Sequence, residues 1–265
     1  MTAFHDPRER RLAWRTSPEV ADIAASGALV VQPIASVEQH GPHLPCYTDS
    51  LVAEGIVERA MAVTTVDANV WTLPVVSYGK SNEHLGYPGT VSLSAETLIA
   101  VCRDIGRSIA RSGFRKLAFV NGHGGQPHLL EMVARDIREE TGLMVFPLFP
   151  YRVGLPDGAV SSREEAELGI HAGELETSMV LALAPEAVRT DRLEAGSTRV
   201  RELYGSLRFL SLEGALPTAW LTRDLAPNGV IGDPTAASVE RGELALAHLA
   251  RELAGVFAEI CAFEL

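Results

Sequence analysis

The stretch "VVQPIASVEQHGPHLPCYTDS", Val30 to Ser50, decides how the rest of the chain is read. Its first part, taken back to Gly27 as "GALVVQPIAS", is a short β-branched run of the kind that becomes a buried strand. The part that follows sets Glu38, His40, His43 and Asp49 directly behind that strand, ahead of the helical stretch "SLVAEGIVERAMAV". Buried acids and imidazoles are costly unless something pairs with them. The segment therefore asks for a partner: a metal ion, a substrate, or the protein's own backbone.

Working outward, strands and helices alternate. "NVWTLPVVSYG" reads as a strand and "AETLIAVCRDIGRSIARSG" as a helix, with Leu98, Cys102, Ile105 and Ile109 on one face and Gly113 at its end. "RKLAFV", "PHLLEMVARDIREETG" and "LMVFPLF" read as strand, helix and strand. A last helix is expected to be capped by Asp233, with Pro234 in its first turn and Leu246, Leu249, Leu253, Val256, Phe257 and Ile260 along one side. This alternation implies an α/β fold with a mostly parallel sheet covered on both faces. No repeat, low-complexity segment or composition break marks a linker, so residues 1–265 read as a single domain. Ligands of such sheets bind beyond the carboxyl ends of the strands. The polar clusters "SVEQHGPHLPCYTD", "SYGKSNEHLGYPGT" and "NGHGGQ" fall there, with His40, His43, His84, His123 and His128 in or just beyond them.

Bulk composition removes several function classes. Lys and Arg number 23 against 34 Asp and Glu, a formal charge of −11 that disfavours a nucleic-acid surface. The one basic run, "RERRLAWR", is read as a solvated helix face. Cys46, Cys102 and Cys261 are too few and too dispersed for a disulfide framework or a thiolate zinc site. The N-terminal "MTAFHDPRERRLAW" has no apolar signal region, and no apolar run could span a bilayer, so the chain is expected in the cytoplasm with no membrane partner.

Spacing alone leaves each candidate residue with two readings. Glu38 and His40, two apart in an extended segment, project to the same side and suit a divalent ion such as zinc or manganese, or bond to each other. Asp49 precedes a helical pattern and is a natural N-cap. His43 sits between two proline turns and reads as a loop-fixing residue. "NGHGGQPH" lacks the lysine and hydroxyl of a nucleotide loop, so its glycines are read as letting backbone approach a ligand while His123 points at it. In "GIHAGELETSMVLAL", His171 and Glu174 share a helix face, while Glu176 has the bland role of a first-turn acid complementing the helix dipole. Cys46 has no neighbour in sequence to depress its pKa and reads as a small loop thiol.

Taken together, "SVEQHGPHLPCYTD", "NGHGGQ" and "HAGELETS", supported by "YGKSNEHLGYPGTVSL" and "PNGVIGDPTAAS", resemble the creatininase (creatinine amidohydrolase) family from about Ala28 to about Gly242. The resemblance implies a three-layer α/β/α protein holding two divalent metal ions at the strand ends. Glu38 and His123 match ligands of one ion, His40 a ligand of the other, and Asp49 the carboxylate between them. His171 matches a histidine that handles protons, and Ser81 and Gly124 match positions lining the substrate pocket. Enzymes that open creatinine carry a glutamate where this chain has Gly125, and Glu174 is expected to supply the missing carboxylate, as in the H-A-G-E branch. True creatininases also place a tryptophan shortly before the counterpart of His171, and none lies between Pro150 and His171 here.

The expected activity is hydrolysis of a non-peptide C–N bond, an amide or cyclic amide, in a small molecule. A metal-bridging hydroxide would attack and His171, titrating near neutrality, would donate the proton. Zinc is the first choice of metal, with manganese or iron as alternatives. Other readings are a peptidase or deformylase, a ring-opening hydrolase of a carbocyclic ketone, and a metal-binding protein without catalysis. The resemblance also implies a homo-oligomer, a hexamer in most of the family.

Overall fold

The computed structural model describes residues 10–65, 67–214 and 216–265. Its centre is a four-stranded parallel sheet of β1 (Leu29–Ile34), β2 (Val70–Thr72), β3 (Lys116–Asn121) and β4 (Met144–Leu148), in the order β2-β1-β3-β4. Every residue of β1 and β3 is buried, which is why their sequences carry no polar alternation. β2 is shorter than its apolar run suggests. Pro74 cannot donate to a ladder, and the chain rejoins β1 only at Val76, whose N–H donates to the Pro33 carbonyl.

The helices are α1 (Ser17–Ala25), α2 (Thr48–Val63), α3 (Ala95–Arg111), α4 (Pro127–Thr141), α5 (Arg163–Leu168), α6 (Glu174–Leu183), α7 (Arg199–Tyr204), α8 (Thr222–Leu225) and α9 (Val239–Ala262). Alternate sheet residues feed two cores. Leu29, Val31, Ala118 and Val120 pack with residues of α2, α6 and α9. Val30, Ile34, Leu117 and Phe119 pack with residues of α1, α3 and α4. The result is the three-layer α/β/α arrangement, with all four strands parallel. A small satellite core of Val200, Leu212, Leu225, Ala226 and Ile231 steadies the segment that lies over the carboxyl ends of the strands. No helix among the described residues is long and apolar enough to cross a membrane.

Two local expectations are corrected. The basic run "RERRLAWR" starts outside the described residues. Its described part is a 3-10 turn, Leu12–Trp14, with Leu12 buried and Arg11 bridged to Thr72, not a solvated helix face. Asp233 caps only a 3-10 turn, Pro234–Ala236, by accepting from the Thr235 N–H. The long helix begins after Ser238, whose hydroxyl accepts from the Arg241 N–H.

That start places Gly242 against α6, where a Cβ would come 1.9 Å from the Ser178 carbonyl oxygen. In an open helix Gly→Ala stabilises by about 1 kcal/mol. Gly242→Ala is expected instead to destabilise by roughly 1–3 kcal/mol, the scale of overpacking, because two helix backbones must part. Thermal unfolding checks this, and a raised melting temperature would count against the close α6–α9 contact.

Candidate metal centre

Two strand-end loops and the first turns of α2 and α6 bring the key side chains together. The loop after β1 carries Glu38 and His40, the first turn of α2 carries Asp49, and the loop after β3 carries His123. All four are buried, as is His171. Asp49 is not a cap, since Tyr47 holds that position, and its carboxylate points inward between two imidazoles. Asp49 Oδ1 lies 3.1 Å from His40 Nε2, and Oδ2 lies 2.9 Å from His123 Nδ1. Glu38 Oε2 stands 3.2 Å from His123 Nδ1, and Glu176 Oε2 stands 3.7 Å from His40 Nε2. The Ser36 hydroxyl, 2.6 Å from Asp49 Oδ2 and 2.9 Å from Glu38 Oε2, can donate to one of them at a time.

The other nitrogen of each imidazole is already committed. His40 Nδ1–H donates to the Glu38 carbonyl at 3.1 Å, and His123 Nε2–H to the Lys80 carbonyl at 3.0 Å. A neutral imidazole so held aims a lone pair at carboxylate oxygens, acceptor against acceptor. Only a proton or a cation between them resolves the conflict. Burial alone would lower His40, but Asp49, with smaller help from Glu176 and Glu38, raises it to about 10. His123 is likewise raised against its burial, chiefly by Glu38 and Asp49. Burial pushes Glu176 up to about 7, and His40 limits the rise. Asp49 is held well below the carboxylate range, its burial outweighed by His40 and His123.

The donor set, imidazole nitrogen with carboxylate oxygen, fits two divalent ions that share Asp49. Glu38 and His123 would hold one, and His40 and Glu176 the other. Because both imidazoles are raised, an entering ion must displace their protons, so affinity should rise with pH through the neutral range. Calorimetry in buffers of different ionisation enthalpy should detect proton release on zinc binding; binding without release would contradict the arrangement.

The structure separates Glu174 from this group. Its Oε2 accepts from the Ser161 N–H at 2.9 Å and hydroxyl at 2.6 Å, and its Oε1 faces Arg241 Nε at 3.2 Å. Two residues on, Glu176 turns to the opposite side of the helix, and its Oε2 accepts from the Ala172 N–H at 2.6 Å. The carboxylate grouped with His40 and Asp49 is therefore Glu176 and not Glu174. Ala172 is a non-glycine residue with a left-handed φ of 52°, and this turn swings its N–H toward Glu176. Ser81 is also displaced from its expected place: it is fully buried behind His123, 3.3 Å from Nε2, and does not line the cleft. Gly124 does line it. His43 is apart from the cluster, bonded through Nε2 to Thr177 at 2.9 Å, with its carbonyl accepting from the Arg189 N–H.

His171 Nε2–H donates to the Gln39 carbonyl at 2.8 Å, which leaves Nδ1 as the acceptor, 3.7 Å from Glu38 Oε1. Burial, reinforced by His84 and His40, lowers this imidazole well below its usual range, which favours its neutral form. The cluster floors a cleft of about 560 Å³ whose walls include Phe149, Ile170, Leu212 and Trp220. Trp220 stands edge-on to His84, ring centres 6.4 Å apart. Sequence reading missed Glu83, His84 and Trp220 as site residues. The first two carried a signal, standing in a histidine-bearing loop beyond a strand, whereas Trp220 lies in a segment without regular pattern.

The sequence profile described as "Creatininase: Creatinine amidohydrolase" matches residues 13–257. A mycofactocin precursor peptide peptidase of Mycobacterium ulcerans (strain Agy99) is 37% identical over 227 residues, covering 83% of this chain and 80% of that protein. A creatinine amidohydrolase of Pseudomonas putida is 32% identical over 198 residues, covering 69% of this chain and 74% of that protein. In fold, a solved mutant creatininase of Zn-Zn type is similar with a TM-score of 0.73 at 23% identity, over 94% of this chain and 98% of that one. With its motifs at the strand ends, its three layers and its profile match over nearly the whole length, this chain belongs to the creatininase family.

Proposed function

We propose that this chain is a two-metal amide hydrolase acting on a short peptide. One observation carries the hydrolase reading: lone pairs of His40 and His123 face the oxygens of Asp49, Glu38 and Glu176 on the floor of an open cleft. Two divalent ions held there, zinc first, with manganese or iron as alternatives, would activate water and polarise the amide carbonyl. Asp49, with Oδ1 facing His40 and Oδ2 facing His123, would be the carboxylate shared by the two ligand sets. His171 offers Nδ1 to the cleft as a neutral acceptor, so it can take up a proton and pass it to the departing nitrogen. The Gln39 carbonyl fixes the ring for that transfer. Gly124 leaves open space at the floor, with nothing within 4 Å of where a Cβ would sit.

The choice of a peptide is supported by the peptidase named above at 37% identity. It also fits a cleft walled by separate aromatic and aliphatic groups and the absence of a tryptophan between Pro150 and His171. A non-peptide C–N bond is the second reading, favoured by the likeness to a creatinine amidohydrolase. Zinc- or manganese-loaded protein offered short peptides beside formamides, lactams and cyclic imides separates the two. Release of a new amine and carboxylate from a peptide supports the first reading, and turnover of lactams or imides alone supports the second. Two bound ions with no turnover of any of these would leave a metal-binding protein.

A further inference from the structure

We propose that the single turn Asn82–His84 is a clamp on one of the two ion sites, gripping both of its outer ligands. The inference rests on the two-metal reading above. Consecutive residues of this turn diverge to different ligands: Glu83 to His123, and His84 to Glu38. Glu83 Oε1 lies 3.2 Å from His123 Nε2, within ion-pair distance, and is shielded from solvent with no hydrogen-bond partner. It adds a carboxylate oxygen to the Lys80 carbonyl and the Ser81 hydroxyl already beside the Nε2–H, which reserves Nδ1 for an ion. A carboxylate behind a ligating imidazole fixes its tautomer and orientation and raises its basicity.

His84 does the reciprocal work. Its Nδ1 is 2.8 Å from the Thr222 hydroxyl and 3.0 Å from the Gln39 amide nitrogen, both able to donate to it. The proton then resides on Nε2, 3.3 Å from Glu38 Oε1. The turn itself is closed by the His84 N–H to the Ser81 carbonyl at 3.1 Å and anchored by the Ser81 N–H to the Ser92 hydroxyl at 2.9 Å. Among the described residues neither Glu83 nor His84 hydrogen-bonds or ion-pairs with His40 or Glu176, so the clamp is one-sided.

Gly125 is shaped to this clamp. Its φ is not left-handed, so backbone conformation does not demand glycine there. Space does: a Cβ at 125 would fall 2.0 Å from Glu83 Oε1 and 2.5 Å from His123 Nε2. The volume a side chain at 125 would fill is the volume the Glu83 carboxylate occupies beside His123 Nε2, so Glu83 and Gly125 are a matched pair on one side of the imidazole. Both are positioning residues.

The test is zinc affinity measured by competition with a chromophoric chelator, together with zinc content and the melting temperature of each metal-free protein. In Glu83→Ala one of the two ions should weaken about 10–100-fold, the range seen for loss of such a supporting contact, while the other keeps its affinity. His84→Ala should weaken the same ion. Glu83→Gln, which still offers an acceptor to the imidazole N–H, should lose less. Gly125→Ala, which changes no charge, should reproduce the single-ion loss by displacing the Glu83 carboxylate. Unchanged affinity at both sites in Glu83→Ala and Gly125→Ala would overturn the clamp. So would equal weakening of both ions with a lowered metal-free melting temperature, which would mark a general structural role. Loss in Glu83→Gln as complete as in Glu83→Ala would make Glu83 a direct ligand and also overturn it. If the unaltered chain fails to bind two ions, the two-metal reading itself falls, a result visible before any variant is compared.

Discussion

Asp49→Asn should strip the protein of both divalent ions and lower amide hydrolysis by about 10²–10³-fold or more, the scale on which a central electrostatic element registers. The two oxygens of Asp49 serve different neighbours, Oδ1 facing His40 and Oδ2 facing His123. Asparagine keeps the size but presents an N–H₂ to one of those imidazoles, so one site loses its shared oxygen. The charge of a buried, twice-used carboxylate disappears as well. Metal content per chain by mass spectrometry, on both proteins purified side by side, is the direct check. Two ions in the unaltered chain and two in the variant would mean that Asp49 does not bridge.

The second large effect separates two acids of one helix turn. Glu176→Gln should lose the ion shared with His40, halve the metal content and lower turnover by about 10²-fold or more. Glu174→Gln should keep both ions and turnover, and should register as lost stability. Its carboxylate is fully buried, accepting from Ser161 and paired with Arg241, and hydrogen bonds to a charged group contribute about 1.5–3 kcal/mol. Metal content and melting temperature measured on both variants give a crossed result. The opposite pattern would restore Glu174 as the ligand and contradict the geometry.

The confusion between those two acids shows where sequence reading stops. Helical spacing tells that Glu174 and Glu176 lie on different faces of α6, but not which face meets the strand ends. That is decided by how α6 docks on α9, through contacts such as Ser178 against Gly242, and those are distant in sequence. The strands were legible because β1 and β3 are buried on both sides, and a short, uninterrupted β-branched run is stable mainly as a strand covered on both faces. Glu38, His40 and His123 were legible as candidates because they follow such strands directly, and the ordered motifs of the family gave them roles. Asp49 was ambiguous for a physical reason: it does stand in a helix's first turn, where an acid is favourable in any case. Ser81 matched by motif alone, and nothing local reveals that His123 screens it from the cleft. Trp220 reaches the cleft on an irregular segment steadied by Leu212, Leu225 and Ile231, and irregular backbone has no period to read.

The candidate ligands run from Glu38 to Glu176, across loops that meet only when the sheet and both helical layers have assembled. An unfolded chain holds no such group of donors, so any ion captured by the finished protein acts as a weight on the folded side of the balance. By mass action, free ion at a hundred times its dissociation constant adds about 2.7 kcal/mol per site. The melting point of this protein should therefore climb with zinc concentration and drop under chelation. Where metal is scarce, the loss would be felt first as a shorter lifetime of the chain, before any question of how fast each surviving molecule works.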